Sequence, residues 1–454
     1  MARRIGMGSS LGIVIFLIFL IATGLFLVKQ FEWHDPVVTT DLDSDAIGLR
    51  PFTVTVRDEG KGLSYVAVSL IAGDSSQTLF FKEFDTPVKE HAVKIQLDPS
   101  RITLKEGPAT LRVTAGDRSY WSFFRGNKTV SDKSARIDLT PPTVEIISDD
   151  RYVTLGGSAM VVYRTSPDTR SSKIQIGRHM FPGYKGSMGD PHTSMAFFAH
   201  PYDTPVEERA LIVAEDKAGN IAQFKLGYNL RKVRVRKVNV KISDNFITNK
   251  IKPLLQDANT KTNTPAEHFV AVNRELRRQN ESTIGSSCRG SVQEKLWDGP
   301  FMQLSNSKVK ANFADQRSYL YEGQVIDHAN HLGYDLAVTR RYPVEAGNSG
   351  IVVFAGPLGI YGKTVILDHG FGLCSLYSHL STVNVQLGTR VSKGQAVGRT
   401  GETGLATGDH LHYGVYIYGV PVLPLEWWDS KWITDNVLGK LVAEEPGAQS
   451  NVMR

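Results

Sequence analysis

The stretch Asp409-His410-Leu411-His412-Tyr413-Gly414-Val415-Tyr416-Ile417 decides how the C-terminal part of this chain is read. In a strand, residues i and i+2 project to the same face, so His410 and His412 converge on one small site. Tyr413, Val415, Tyr416 and Ile417 continue a β-favouring run and support that geometry. Upstream, His331-Leu-Gly-Tyr-Asp335 offers two more ligand-type side chains four residues apart. That spacing suits one side of a helix or one face of a strand, and Gly333 favours an extended or turning backbone. Between these pieces lies Tyr377-Ser-His379-Leu, set after a strand over 363–369. Six of the chain's 12 histidines fall between His328 and His412, which marks this region as the one that carries chemistry.

Two histidines and one carboxylate holding zinc, with water in the fourth position, form a common hydrolytic arrangement. The order H-x-x-x-D, then S-H-L, then H-L-H is more specific than its parts. Over about 300–429 the chain resembles the lysostaphin-type and LytM family of zinc metallopeptidases, which cut peptidoglycan peptides. The likeness extends to Gly350-Ile-Val-Val-Phe-Ala-Gly356, to Tyr361-Gly362-Lys-Thr-Val-Ile-Leu-Asp-His369-Gly370, and to the glycine series at 388, 394, 398, 401 and 404. By this resemblance His331, Asp335 and His412 ligate one Zn2+, while His379 and His410 flank a zinc-activated water and the developing oxyanion. No H-E-x-x-H occurs, so the helical zincin arrangement is excluded. His328 is an alternative ligand near His331, His369 is structural or substrate-lining, and Glu402 is a solvated turn residue. After His412 stands Tyr413-Gly414, where the family commonly has an aromatic residue and then often glutamate.

Two rival readings differ in class. One is a catalytically inactive LytM-type module that binds and activates another cell-wall hydrolase; such modules lose ligands, and all five residues are present here. The other is a biotin- or lipoyl-carrier hairpin, which needs a lysine at a tip between hydrophobic residues, whereas Lys393 precedes Gly394-Gln395. The resemblance does not choose between D-alanyl–diaminopimelate and polyglycine bonds.

The remainder of the chain reads as β-rich and exported. Its 454 residues suggest roughly two to four domains. At 41% hydrophobic and 22% charged it is neither disordered, collagenous nor coiled-coil. A formal charge of +6 is mild for this length and gives no sign of nucleic acid as partner. Residues 11–28 carry no charge and are preceded by Arg3 and Arg4, which predicts an uncleaved N-terminal transmembrane helix. The expected topology is a single-pass inner-membrane protein with residues 1–10 cytoplasmic and the bulk outside the cytoplasm. Alternating strands over 40–140 and 141–240, with Leu111-Arg-Val-Thr-Ala-Gly-Asp117 echoed at Leu211-Ile-Val-Ala-Glu-Asp216, predict two tandem immunoglobulin-like sandwiches serving as a spacer. Residues 241–299 read as a helical connector, 300–430 as the peptidase domain and 431–454 as a C-terminal tail. Within the connector, Thr264-Pro265-Ala-Glu267 forms a capping box opening a helix over 265–279, whose face of Phe269, Val272 and Leu276 must be buried. Cys288 and Cys374 are the only cysteines, and whether they pair is left open, as is the oligomeric state.

Overall fold

The computed structural model describes residues 7–31, 33–186, 189–258 and 262–442. Those residues are mainly β and divide into two compact units at Pro142/Thr143, with Glu215–Ile221 assigned to the first. In the first unit a three-stranded sheet (Val37–Thr40, Phe52–Arg57, Glu90–Ile95) accompanies a five-stranded one built on Leu63–Ala72 and Gly107–Asp117. The sequence alternation is its cause: in Phe52–Arg57 every second residue is buried, and Val54 and Val56 join Leu63, Val66, Val68 and Leu70 at zero exposure.

Two expectations about the part before the C-terminal domain are corrected. A helix does form over Met7–Gln30, but among the described residues no helix is long and apolar enough to cross a membrane. The expected N-terminal transmembrane helix is therefore not supported. Residues 1–6 of the expected cytoplasmic tail and 443–454 of the C-terminal tail lie outside the described residues.

The second correction concerns the free-standing immunoglobulin-like sandwiches. Residues 143–231 do form two four-stranded sheets, one centred on Ser158–Thr165 and Thr193–Ala199, the other on Thr169–Ile176 and Leu211–Asp216. Their core, however, is continuous with that of the C-terminal sheet, so they are one part of a larger body and not an independent spacer. Phe197 packs on Trp427 at 5.9 Å between ring centroids, and the Trp427 indole donates to Ser158 Oγ at 3.0 Å. Glu426 accepts from the Ser158 backbone at 2.7 Å, and its burial pushes its carboxyl up to about 7. Lys440 reaches back to Asp150 at 2.7 Å as a buried ion pair.

The connector is equally integrated. Lys237–Ile242 lies parallel to Gln316–Tyr321, with Val238 opposite Arg317. The capping box forms as the sequence reads, with Thr264 accepting from Glu267 N and Glu267 accepting from Thr264 N. The helix then passes through a wider π turn at Val272–Leu276 and continues to Arg289, ten residues beyond the expected end. Phe269, Val272, Leu276, Ile284 and Cys288 are buried against Tyr319, Tyr361, Ile366, Leu376 and Tyr416. Both cysteines are free and buried. Phe269 sits 4.8 Å from Tyr319 and is 1% exposed. We expect Phe269→Ala to cost about 3–5 kcal/mol in chemical denaturation. A loss below ~1 kcal/mol would mean that the helix is not docked on the sheet.

The C-terminal sheet has eight strands. In spatial order it runs Lys308–Ala311, Tyr334–Ala337, Leu411–Ile417, Leu373–Leu380, Lys363–Asp368, Gly350–Pro357 and Arg390–Val391, with Val420–Val422 added beside Leu411–Ile417. The strands Leu373–Leu380 and Leu411–Ile417 are buried along their whole length, with Ser375, Ser378, His379 and His412 as polar side chains within them.

Candidate active site

The two central strands and their neighbour build the site. In the antiparallel ladder Asp335 is directly opposite His412, and Ser378 faces His412 from the other side. Directly opposed residues have adjacent Cβ atoms, so the ladder alone brings the carboxylate to the imidazole. His331 arrives from the turn before the Tyr334 strand, held by its N–H to Asp315 O (3.0 Å) and by Ala314 N–H to its own carbonyl (2.7 Å). Gly333 makes the turn close enough: a Cβ there would stand 2.4 Å from Tyr413 O and 2.8 Å from the His412 ring. The first of these is backbone and cannot yield cheaply. We expect Gly333→Ala to weaken metal binding at least tenfold while leaving the secondary structure intact; an unchanged affinity in a metal titration would show that the turn has slack.

Three ligand atoms converge. His331 Nε2 is 2.9 Å from Asp335 Oδ1 and 3.0 Å from His412 Nδ1, and His412 Nδ1 is 2.9 Å from the same oxygen. His331 Nδ1 donates to Asn312 O at 2.9 Å, so a neutral ring presents a lone pair at Nε2. With no cation between them, neither a proton nor a metal ion, Nε2 and the carboxylate oxygen would be two acceptors at contact distance. All three residues are buried, and the donor set of two imidazole nitrogens and one carboxylate fits a divalent transition metal. Burial alone would raise the Asp335 carboxyl, but the charge of His331 and hydrogen bonds from His331, His410 and His412 carry it well below its ordinary value. Burial lowers His412 to about 4.

His379 and His410 stand beside this cluster, 4.8 Å apart between ring centroids, and His379 is 5.8 Å from His412. Each is oriented by a backbone carbonyl: His379 Nδ1 donates to Thr403 O at 2.8 Å, and His410 Nδ1 to Gly408 O at 2.7 Å. Both rings therefore carry Nδ1–H and turn Nε2 toward the site; His410 Nε2 is 3.5 Å from Asp335 Oδ1. Burial, reinforced by His410 and His412, holds His379 well below the ordinary imidazole value. Burial is the largest influence on His410 and pulls it the same way, yet the hydrogen bond and charge of Asp335 and the Gly408 carbonyl together outweigh it and leave it raised.

His379 has φ 61°, a left-handed conformation uncommon for a residue with a side chain. The ladder to Lys363–Asp368 slips between Lys363 and Val365 at this point, so the strand is bulged. A bulge re-aims one side chain out of the alternation, which is how the third residue of Tyr377-Ser378-His379 comes to face the same centre as Asp335 and His412. The sequence gives no sign of this. The other histidines are elsewhere: His328 bonds Ser318 Oγ on an exposed strand face, and His369 is enclosed between Ser349 O and Ser375 Oγ, its ring lowered to about 4 by burial. Glu402 is exposed beside Arg340.

The five residues open on a groove of about 380 Å³. Its far wall comes from outside the motifs and includes Arg236, Val240, Phe269, Lys310 and Arg317.

A β-sheet thus presents a His–Asp–His cluster that could hold a metal ion, and two further imidazoles, to one groove. Comparison with known proteins gives the family: residues 329–424 match Peptidase family M23, and the C-terminus of this chain is a Peptidase M23 domain. The DD-carboxypeptidase/endopeptidase Mpg of Neisseria meningitidis serogroup B is 41% identical over 95 residues, 21% of this chain and 22% of that one. The peptidoglycan DD-endopeptidase ShyA of Vibrio cholerae is 36% identical over 118 residues, 26% of this chain and 27% of that one. The chain thus spans about a quarter of the length of the curated relatives it matches. Among solved structures, the catalytic domain of the antimicrobial peptidase lysostaphin from Staphylococcus simulans is 28% identical, covering 27% of this chain and 92% of that one, with a TM-score of 0.23.

Proposed function

We propose that this chain is a zinc endopeptidase that hydrolyses the peptide cross-links of peptidoglycan outside the cytoplasm. The observation that carries the reading is the meeting of His331 Nε2, Asp335 Oδ1 and His412 Nδ1 within 3.0 Å of one another, beside two imidazoles already oriented through Nδ1. Two imidazoles and a carboxylate are the ligand types of catalytic zinc. When bound, zinc supplies Lewis-acid polarisation of a carbonyl and lowers the pKa of water toward ~7. The rest falls to the chain's own residues. His379, kept neutral and anchored at Thr403 O, accepts a proton at Nε2. His410, whose proton is favoured by Asp335, donates toward the oxygen that becomes negative as the carbonyl turns tetrahedral. The groove walls exclude water and hold an extended peptide across the site.

The relatives named as DD-endopeptidases favour a bond between two D-centres over a polyglycine bridge. The presence of all five residues disfavours the inactive, activator reading. The test is to incubate the purified chain with isolated cell-wall sacculi, with and without a chelator, and to identify released peptides by mass spectrometry. We expect cross-linked dimers to fall and monomers to rise, and chelation to stop both. A zinc-loaded, folded protein that leaves every cross-link intact would sink the proposal.

A further inference from the structure

One side chain outside the matched residues touches a ligand directly. The Arg317 guanidinium donates from Nη2 to Asp335 Oδ2 at 2.9 Å, while Oδ1 of the same carboxylate faces His331 and His412. The two oxygens are thereby given different tasks. Oδ2 is engaged by a fixed cation of the protein, and Oδ1 alone is turned to the two nitrogens.

Arg317 is itself held on both sides. Its strand is the middle of a three-stranded sheet, with Arg317 opposite Val238 in the parallel pair and opposite Ala329 in the antiparallel one. The preceding residues serve His331: Asn312 O accepts from Nδ1 and Asp315 O from its backbone N–H, while Asp315 is gripped in turn by Arg236. A single segment, residues 312–317, therefore orients two of the three ligands, and it is anchored to the connector strand Lys237–Ile242.

We propose that Arg317 is a positioning residue of the metal site: by occupying Oδ2 it makes Asp335 a ligand through Oδ1 only and fixes that oxygen between His331 and His412. A guanidinium suits the task because it stays charged and its planar fork fixes direction as well as charge. A partner that orients a ligating carboxylate typically accounts for about 10–100-fold in metal affinity.

This inference rests on reading the site as a metal centre. The test is a competition titration of the full chain with a zinc chelator, comparing wild type, Arg317→Ala and Arg317→Lys, with visible spectra of the cobalt-loaded forms. We expect Arg317→Ala to bind zinc about 10–100-fold more weakly. We expect the cobalt band of that variant to change as the freed carboxylate shifts its coordination, and Arg317→Lys to recover part of the affinity. Equal or tighter zinc binding by a folded Arg317→Ala protein overturns the role, since it would make Arg317 neutral or a competitor of the metal. If Arg317→Ala fails to fold, Arg317→Gln, which keeps a donor without the charge, decides the question on the same criterion. Wild-type protein that binds neither metal would instead overturn the reading of the site as a metal centre.

Discussion

Replacing His331, Asp335 or His412 by alanine is expected to remove most bound zinc and with it essentially all wall-hydrolysing activity. Three protein ligands are the minimum of a catalytic zinc site, and none has a stand-in here. His328 is turned to Ser318, and His410, its Nδ1 taken by Gly408 O, stands beside the three-atom cluster without contributing to it. Asp335 carries a further load, because it accepts from Arg317 and lies against His331, His410 and His412 at once. Asp335→Ala leaves the Arg317 cation beside three imidazoles with no anion between them, so it should be the most damaging of the three. Elemental analysis of the purified variants checks this directly. Near-stoichiometric zinc in any one of them would remove that residue from the ligand set.

What the sequence made legible was local. The period-two logic of His410-Leu411-His412 places both rings on one strand face without any knowledge of the fold. The N-terminal cap of the connector helix was equally open, because Thr264, Pro265 and Glu267 act on backbone groups within three residues. Its far end was hidden. Asn280, Ile284 and Cys288 continue the buried stripe at four-residue intervals, but an asparagine opens that stretch, and only the fold reveals that it accepts from the Ile360 N–H. The pairing of Asp335 with His412 across 77 residues, the bulge that turns His379, and the reach of Arg317 to Asp335 all depend on strand register, for which a single sequence carries no local signal. The apolar run at 11–28 was legible as a helix, but among the described residues no helix is long and apolar enough to be a span. Trp427 likewise reads as an ordinary aromatic, yet it joins the core of the upstream sheets to that of the peptidase domain.

His379→Ala and His410→Ala should separate binding from chemistry. Neither ring contributes an atom to the cluster of His331 Nε2, Asp335 Oδ1 and His412 Nδ1, so each variant should retain zinc. Each should nonetheless lose roughly 10²–10⁴ in kcat, the scale of a missing acid–base group or oxyanion donor. The two losses should differ in kind. His379 is held neutral by burial and by its imidazole neighbours, whereas His410 is favoured in its protonated form by Asp335. A residue that accepts a proton and one that donates a hydrogen bond affect opposite limbs of the pH–rate profile. His379→Ala should therefore flatten the acidic limb and His410→Ala the basic one, measured on a small soluble cross-linked peptide. Because both rings face one reacting centre, the double variant should fall little further than the worse single variant. Multiplicative losses would mean that the two histidines act in separate steps. Loss of zinc from His379→Ala would reassign it as a ligand, and with it the meaning of the bulge that turns it inward.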